Sequence, residues 1–161
     1  MSAAPVLRSV LYMPSSNARA LEKAKTIPAD AIIFDLEDAV APDAKESART
    51  QAVAAVRSGQ YGKRVLTIRC NGLDTPWGED DLLEAATSGA TAVVVPKVSG
   101  VEHLAHVVAV LDKAGAPDDL AVWAMVETPT AVLEVRAIAA VDRVSALVLG
   151  TNDLADRKST R

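Results

Sequence analysis

Six apolar runs rich in Val, Ile and Leu punctuate the chain, at residues 6–13, 31–34, 65–68, 92–95, 121–126 and 146–149. They lack the polar alternation of a half-solvated strand, so they predict strands buried on both faces, as in a parallel sheet covered by helices. The runs recur about every 30 residues, the length of a strand–helix–strand unit. Between them the period changes. Val101, Leu104, Val108 and Leu111 fall at helical spacing, while Glu102, His103 and Lys113 take other faces. Ala44, Ala48, Ala52 and Val56 form a similar stripe, and Asp43 with Glu46 has the spacing of a capping box. Thr128-Pro129 places a capping residue before a first-turn proline, which predicts a helix carrying Val132, Val135 and Ala139. Gly59, Gly89 and Gly115 stand where helices should stop.

This α/β alternation admits an open doubly wound sheet or a TIM-type (β/α)8 barrel. The barrel is favoured because polar residues follow nearly every strand rather than one switch point, and no Gly-rich fingerprint follows the first strand. Such a barrel typically takes about 250 residues. With 161 residues, only about six βα units are expected, so residues 1–161 are read as one incomplete barrel domain. No linker, repeat array or low-complexity segment divides it.

Composition narrows the function. Hydrophobic residues make up 50% of the chain and aromatics only 3%, so the core must be aliphatic, which suits buried parallel strands. The net charge of -4, with both signs interleaved, leaves no basic stripe for a nucleic acid. Cys70 is the single cysteine, which excludes an intrachain disulfide or a cysteine zinc cluster and fits a reducing compartment. Residues 1–10 hold no apolar run long enough for a signal sequence, and no later stretch has the length of a membrane span. A cytoplasmic protein without a membrane partner is expected.

In parallel α/β folds chemistry gathers at the carboxyl ends of the strands. There the chain offers Asp35, Glu37 and Asp38 after the second run, Arg69 after the third, Lys97 after the fourth, Glu127 after the fifth and Asp153 after the sixth. If neighbouring strands bring Glu127 and Asp153 together, they form the sparse oxygen set that Mg²⁺ prefers; alternatively each caps the helix that follows. Arg69 can grip a substrate carboxylate in a two-pronged pair, or be tied internally to Glu37 or Asp38. If the extended backbone continues past Asp35, Glu37 shares its face and Asp38 takes the other. Lys97 is either a charge for an anionic substrate, a Schiff-base amine requiring a depressed pKa, or a structural partner of a neighbouring acid. His103 and His106 read as surface residues, and Cys70 as a buried bystander.

Taken in order, Arg8-Ser9-Val10-Leu11-Tyr12-Met13-Pro14, Asp35-Leu36-Glu37-Asp38-Ala39-Val40, Arg69-Cys70-Asn71-Gly72, Pro96-Lys97-Val98, Val126-Glu127-Thr128-Pro129 and Leu149-Gly150-Thr151-Asn152-Asp153-Leu154 resemble the successive motifs of the citrate lyase β-subunit and malyl-CoA lyase family, the HpcH/HpaI aldolase-like CoA-ester lyases. Asn71-Gly72-Leu73-Asp74-Thr75-Pro76-Trp77 is most similar to the malyl-CoA lyase branch. The resemblance implies a Mg²⁺-dependent carbon–carbon lyase acting on a CoA thioester of a hydroxy di- or tricarboxylic acid, of the citryl-CoA or malyl-CoA type. It would release or use acetyl-CoA and a 2-oxo acid. The alternatives are a non-catalytic CoA- or oxo-acid-binding subunit, a malyl-CoA thioesterase, or a pyruvate aldolase of the same fold. By the same resemblance, Glu127 and Asp153 hold the metal, Arg69 binds the oxo-acid carboxylate, and Glu37 and Asp38, catalytic together with Arg69, lie beside the metal site. Lys97 and Pro129 would contact substrate, and Arg8, with Arg19 and Lys23, would face the CoA phosphates. The family implies a homo-oligomer, a trimer or hexamer, in which a neighbouring subunit lends a catalytic acid.

Overall fold

The computed structural model describes residues 6–159; the two ends of the single-domain expectation, residues 1–5 and 160–161, lie outside the described residues, as does part of the segment read for a signal sequence. Six parallel strands are hydrogen-bonded in chain order: β1 (Val10–Pro14), β2 (Ala31–Asp35), β3 (Val65–Arg69), β4 (Ala92–Val95), β5 (Ala121–Val126) and β6 (Val144–Leu149). The connecting helices are α1 (Ala18–Ala24), α2 (Lys45–Arg57), α3 (Gly78–Ala86), α4 (Val101–Lys113), the short pair α5 (Pro129–Leu133) and α6 (Val135–Ala139), and α7 (Thr151–Ser159). Each strand lies beside its predecessor, so the sheet winds in one direction and has no switch point. That is the order of a barrel and not of a doubly wound sheet.

The sheet is curled. The Tyr12 hydroxyl on β1 reaches the Met125 sulfur on β5 at 4.0 Å, and the Arg69 guanidinium on β3 lies over the Tyr12 ring at 5.1 Å. Because successive strand side chains point to opposite faces, two cores result. Ile32, Phe34, Ile68, Val93 and Val126 face outward onto Leu104, Leu111 and Ile138 of the helices. Ala31, Ile33, Val94, Trp123 and Met125 fill the inside of the curl. The inner parity is the one that, carried to the strand ends, delivers Asp35, Arg69 and Glu127 to the same space.

Local chemistry explains most boundaries. Thr128 caps α5, its hydroxyl accepting from the Ala131 amide at 3.0 Å, with Pro129 in the first turn. Gly59, Gly89 and Gly115 follow α2, α3 and α4 with positive φ, where a side chain would be strained.

Several expectations are corrected. The Asp43/Glu46 capping box does not form: Pro42 starts a 3-10 turn over Pro42–Ala44, so α2 begins at Lys45 with Ala44 at its cap and no side-chain bond. The helix after Thr128 breaks at Glu134, and its buried side is rotated by one residue from the expected stripe. Ala131 and Ile138 are buried, while Val132, Val135 and Ala139 face out. In α4 the buried side is Leu104, Val107, Val110 and Leu111, and Val101 is exposed. The edge strands β1 and β6 are not buried on both faces; Leu147 and Leu149 on β6 are exposed. No helix among the described residues is long and apolar enough to cross a membrane.

Candidate functional site

A cavity of about 430 Å³ opens at the carboxyl ends of the strands, lined by Tyr12, Asp35, Arg69, Met125, Glu127 and Asp153 among others. Its floor is an ion cluster set by strand register. Asp35 and Arg69 are Cα partners at the ends of β2 and β3. Arg69 Nε donates to Asp35 Oδ1 at 2.6 Å and Nη2 to Oδ2 at 2.7 Å, a fork-on-carboxylate pair with both side chains buried. The remaining nitrogen, Nη1, lies 3.0 Å from Glu37 Oε2 and 3.3 Å from Asp38 Oδ2. Burial alone would lower the pKa of Arg69, but the hydrogen bonds and charge of Asp35, with Glu37 and Asp38, outweigh it and the pKa is raised.

The three acids share one partner because the extended backbone ends at Asp35. Asp35 accepts the amides of Glu37 at 2.9 Å and Ala39 at 3.1 Å, folding residues 36–39 into a turn. The turn swings Asp38 back over Arg69, so it does not take the opposite face, as continued strand geometry would have it. The internal tie expected for Arg69 is therefore present, with Asp35 as its strongest member.

Glu37 is buried and bridges two cations. Its Oε1 accepts from Lys97 Nζ at 2.7 Å, while Oε2 sits beside Arg69 without hydrogen-bond geometry to any donor. Burial raises its pKa, against the hydrogen bond from Lys97 and the charge of Arg69. Lys97 in turn has its pKa raised by the hydrogen bond to Glu37. A Schiff-base amine needs the opposite shift, so Lys97 is a standing positive charge. It occupies the left-handed region at φ 49 and lines a neighbouring cavity of about 600 Å³ with Asp74, His103 and His106.

Glu127 continues the inner face of β5 and is buried. Its Oε1 accepts the Lys97 amide at 2.6 Å. Burial raises its pKa, the Lys97 amide opposes this, and the negative charges of Glu37 and Asp153 add to it. β6 pairs with β5 in register, Val126 beside Leu149, so Asp153 at the start of α7 reaches the same cavity. Between them Gly150 leaves room: a Cβ there would overlap Cβ and Oε2 of Glu127. Among the described residues no three His, Cys, Asp or Glu side chains converge as a complete cage. Two carboxylates facing an open cavity nevertheless fit Mg²⁺, which is commonly held by one or two carboxylates plus water and substrate.

Two expected substrate contacts line neither cavity. Arg8 precedes β1, at the opposite end of the sheet, where Nη2 and its amide bind Asp30 at 3.1 and 2.8 Å. Pro129 is the exposed first residue of α5 and lines neither cavity; its rigid φ serves the helix start. His103 is half-buried, its Nδ1 accepting the Ser99 amide at 3.4 Å, whereas His106 is exposed as expected. Cys70 is a buried free thiol whose pKa burial pushes well up. Tyr12 and Gly150 were not singled out in the sequence. Tyr12 sits at the inner parity of β1 two residues before the strand ends, which is the signal that would have found it.

The HpcH/HpaI aldolase/citrate lyase family matches residues 8–160. A (3S)-malyl-CoA thioesterase of Cereibacter sphaeroides is 47% identical over 154 residues, covering 96% of this chain and 52% of that protein. An L-malyl-CoA/beta-methylmalyl-CoA lyase of the same species is 36% identical over 156 residues, 92% of this chain and 49% of that protein. Among solved structures, the citrate lyase beta subunit from M. tuberculosis complexed with oxaloacetate and magnesium superposes with a TM-score of 0.71 at 26% identity, over 94% of this chain and 61% of that one. The chain thus spans about half the length of the curated relatives it matches. With the pattern running through all six strand ends, this chain belongs to the HpcH/HpaI aldolase/citrate lyase family.

Proposed function

We propose that the strand-end cavity acts on a CoA thioester of the malyl-CoA type, with Mg²⁺ held by Glu127 and Asp153. The observation that carries this reading is the pairing, in one cavity, of a buried arginine with two carboxylates that follow adjacent strands. The arginine suits the free carboxylate of a dicarboxylic acyl group, and the acids suit the cation. When bound, Mg²⁺ supplies Lewis-acid polarisation of substrate oxygen.

The residues divide the remaining work. Asp35 grips the Nε edge of Arg69 and aims Nη1 into the cavity. Asp38, 60% exposed, accepts from Nη1 at 3.3 Å and is the most solvent-open acid of the cluster. The Lys97 amide fixes Oε1 of Glu127 and leaves Oε2 for the cation. Glu37 and the ammonium of Lys97 keep the local charge balanced when the acyl group enters. CoA phosphates would not meet Arg8, which lies at the other end of the sheet.

Two reactions use such a site. Hydrolysis of the thioester, giving malate and free CoA, is supported by the 47% identity to a malyl-CoA thioesterase. Carbon–carbon cleavage, giving glyoxylate and acetyl-CoA, is the second reading, supported by the 36% identity to a malyl-CoA lyase and by the family. Incubation with (3S)-malyl-CoA and Mg²⁺ separates them: free thiol without glyoxylate marks hydrolysis, and glyoxylate without free thiol marks cleavage. Neither product, or undiminished turnover by Glu127→Gln, would refute the proposed site.

A further inference from the structure

Lys45 is a lysine where a lysine is costly. It sits in the first turn of α2 and is only 6% exposed. Burial lowers its pKa, against the charges of Asp35, Asp81, Glu37 and Asp38. All three ammonium protons are used: Nζ donates to the carbonyls of Leu36 and Glu37 and to Asn71 Oδ1, each at 2.7 Å. Nζ also lies over the Trp77 ring, 5.4 Å from its centroid. Asn71 extends the network, donating through Nδ2 to the Leu36 carbonyl at 3.0 Å and to Asp81 at 2.6 Å; Asp81 is in turn held by Arg49 at 2.7 Å. None of these atoms lines the main cavity.

What Lys45 touches is the backbone that carries the site. Leu36 and Glu37 belong to the turn after β2, whose acids converge on Arg69, and Asn71 and Trp77 belong to the loop after β3, the strand that carries Arg69. We infer that Lys45 is a positioning residue: by binding both loops with one ammonium it sets their separation, and so keeps Glu37 and Asp38 on Nη1 of Arg69. A neutral side chain would leave Asn71 Oδ1 without a donor and take one of two donors from each of the Leu36 and Glu37 carbonyls, which would keep only Asn71 Nδ2 and the Val40 amide. The catalytic consequence rests on the proposed role of Arg69 with a substrate carboxylate; the structural consequence does not.

The test is amide hydrogen exchange in Lys45→Met, which keeps the length and apolar stem, combined with malyl-CoA kinetics. The amides of Glu37 and Ala39, both bonded to Asp35, should exchange at least about tenfold faster, while those of Ile33 and Phe34 in β2 stay protected. KM for malyl-CoA should rise by about tenfold, more than kcat falls, the size usual for residues that hold a binding group in place. Unchanged protection at Glu37 and Ala39, or equal acceleration at every amide, overturns the inference. Should Lys45→Met not fold, Asn71→Ser removes one acceptor and is read by the same amides with the same two outcomes. If the unaltered protein does not turn over malyl-CoA, the functional reading fails, and the exchange pattern alone still decides whether Lys45 sets the turn.

Discussion

Replacing Arg69 by Met removes the cation paired with Asp35, Glu37 and Asp38 together; it strands Asp35 as a buried carboxylate and leaves the buried Glu37 with Lys97 alone. Asp35→Asn is milder in kind. It keeps a side-chain oxygen for one of the turn amides, and the guanidinium keeps Glu37 and Asp38. Removing one member of a buried pair costs about 3–5 kcal/mol, because the other is left uncompensated in low dielectric. The Arg69→Met variant should fall near the top of that range, roughly 5 kcal/mol, and Asp35→Asn near the bottom, roughly 3 kcal/mol. With a urea slope of about 2 kcal/mol per M, the unfolding midpoints would drop by about 2.5 M and about 1.5 M. The Arg69 variant should also recover stability on acidification. Burial already raises the pKa of Glu37, and losing Arg69 removes a charge that opposes the rise. An acid raised in the folded state binds its proton more tightly folded than unfolded, so stability falls as pH climbs from the unfolded value, about 4.3, through the folded one. Moving from pH 7 towards pH 5 therefore returns part of the loss. Equal midpoints for the two variants, or a loss below about 1 kcal/mol for either, would show that the cluster is not the tightly packed network its distances describe.

Three further outcomes follow from single positions. Gly150→Ala pushes a Cβ into Glu127 and should cost about 1–3 kcal/mol by overpacking while reducing the thermal shift given by Mg²⁺; scanning fluorimetry with and without the ion checks it, and an unchanged shift refutes it. His103 should titrate below 6.5, since burial lowers its pKa; with the folded value depressed, stability is lost as pH falls from the unfolded value through the folded one, and the Ser99 amide resonance should move in the same window, because a protonated Nδ1 no longer accepts. A ring titration midpoint at or above 6.5 contradicts this. The Cys70 thiol should resist alkylation in the folded protein and react only on unfolding, which a thiol-reagent time course decides within one experiment.

Reading the chain reached some features and stopped short of others for identifiable reasons. The strands at residues 92–95 and 121–126 were legible to the residue because an unbroken apolar run ending at a polar or turn residue leaves one assignment. The buried side of the helix after Thr128 was not, because which of two adjacent stripes turns inward depends on how α6 packs on β6 and not on local preference. Lys45 lay beside the Ala44/Ala48/Ala52 stripe, yet a lysine in a first turn normally reaches solvent; nothing local announces that three acceptors from other segments await it.

What the sequence determined by itself was the alternation of strand and helix and the kind of residue standing at each strand end, since both are written in unbroken apolar runs, in the 3.6-residue helical period and in neighbours along the chain. The tertiary structure alone decided that Asp35 meets Arg69 across a strand pair, that the turn at residues 36–39 folds Asp38 onto the same guanidinium, and that Arg8 is left at the far end of the sheet. Those are matters of register and direction between segments about thirty residues apart, and distances of that kind are set by how the strands pair and curl, which no local pattern records.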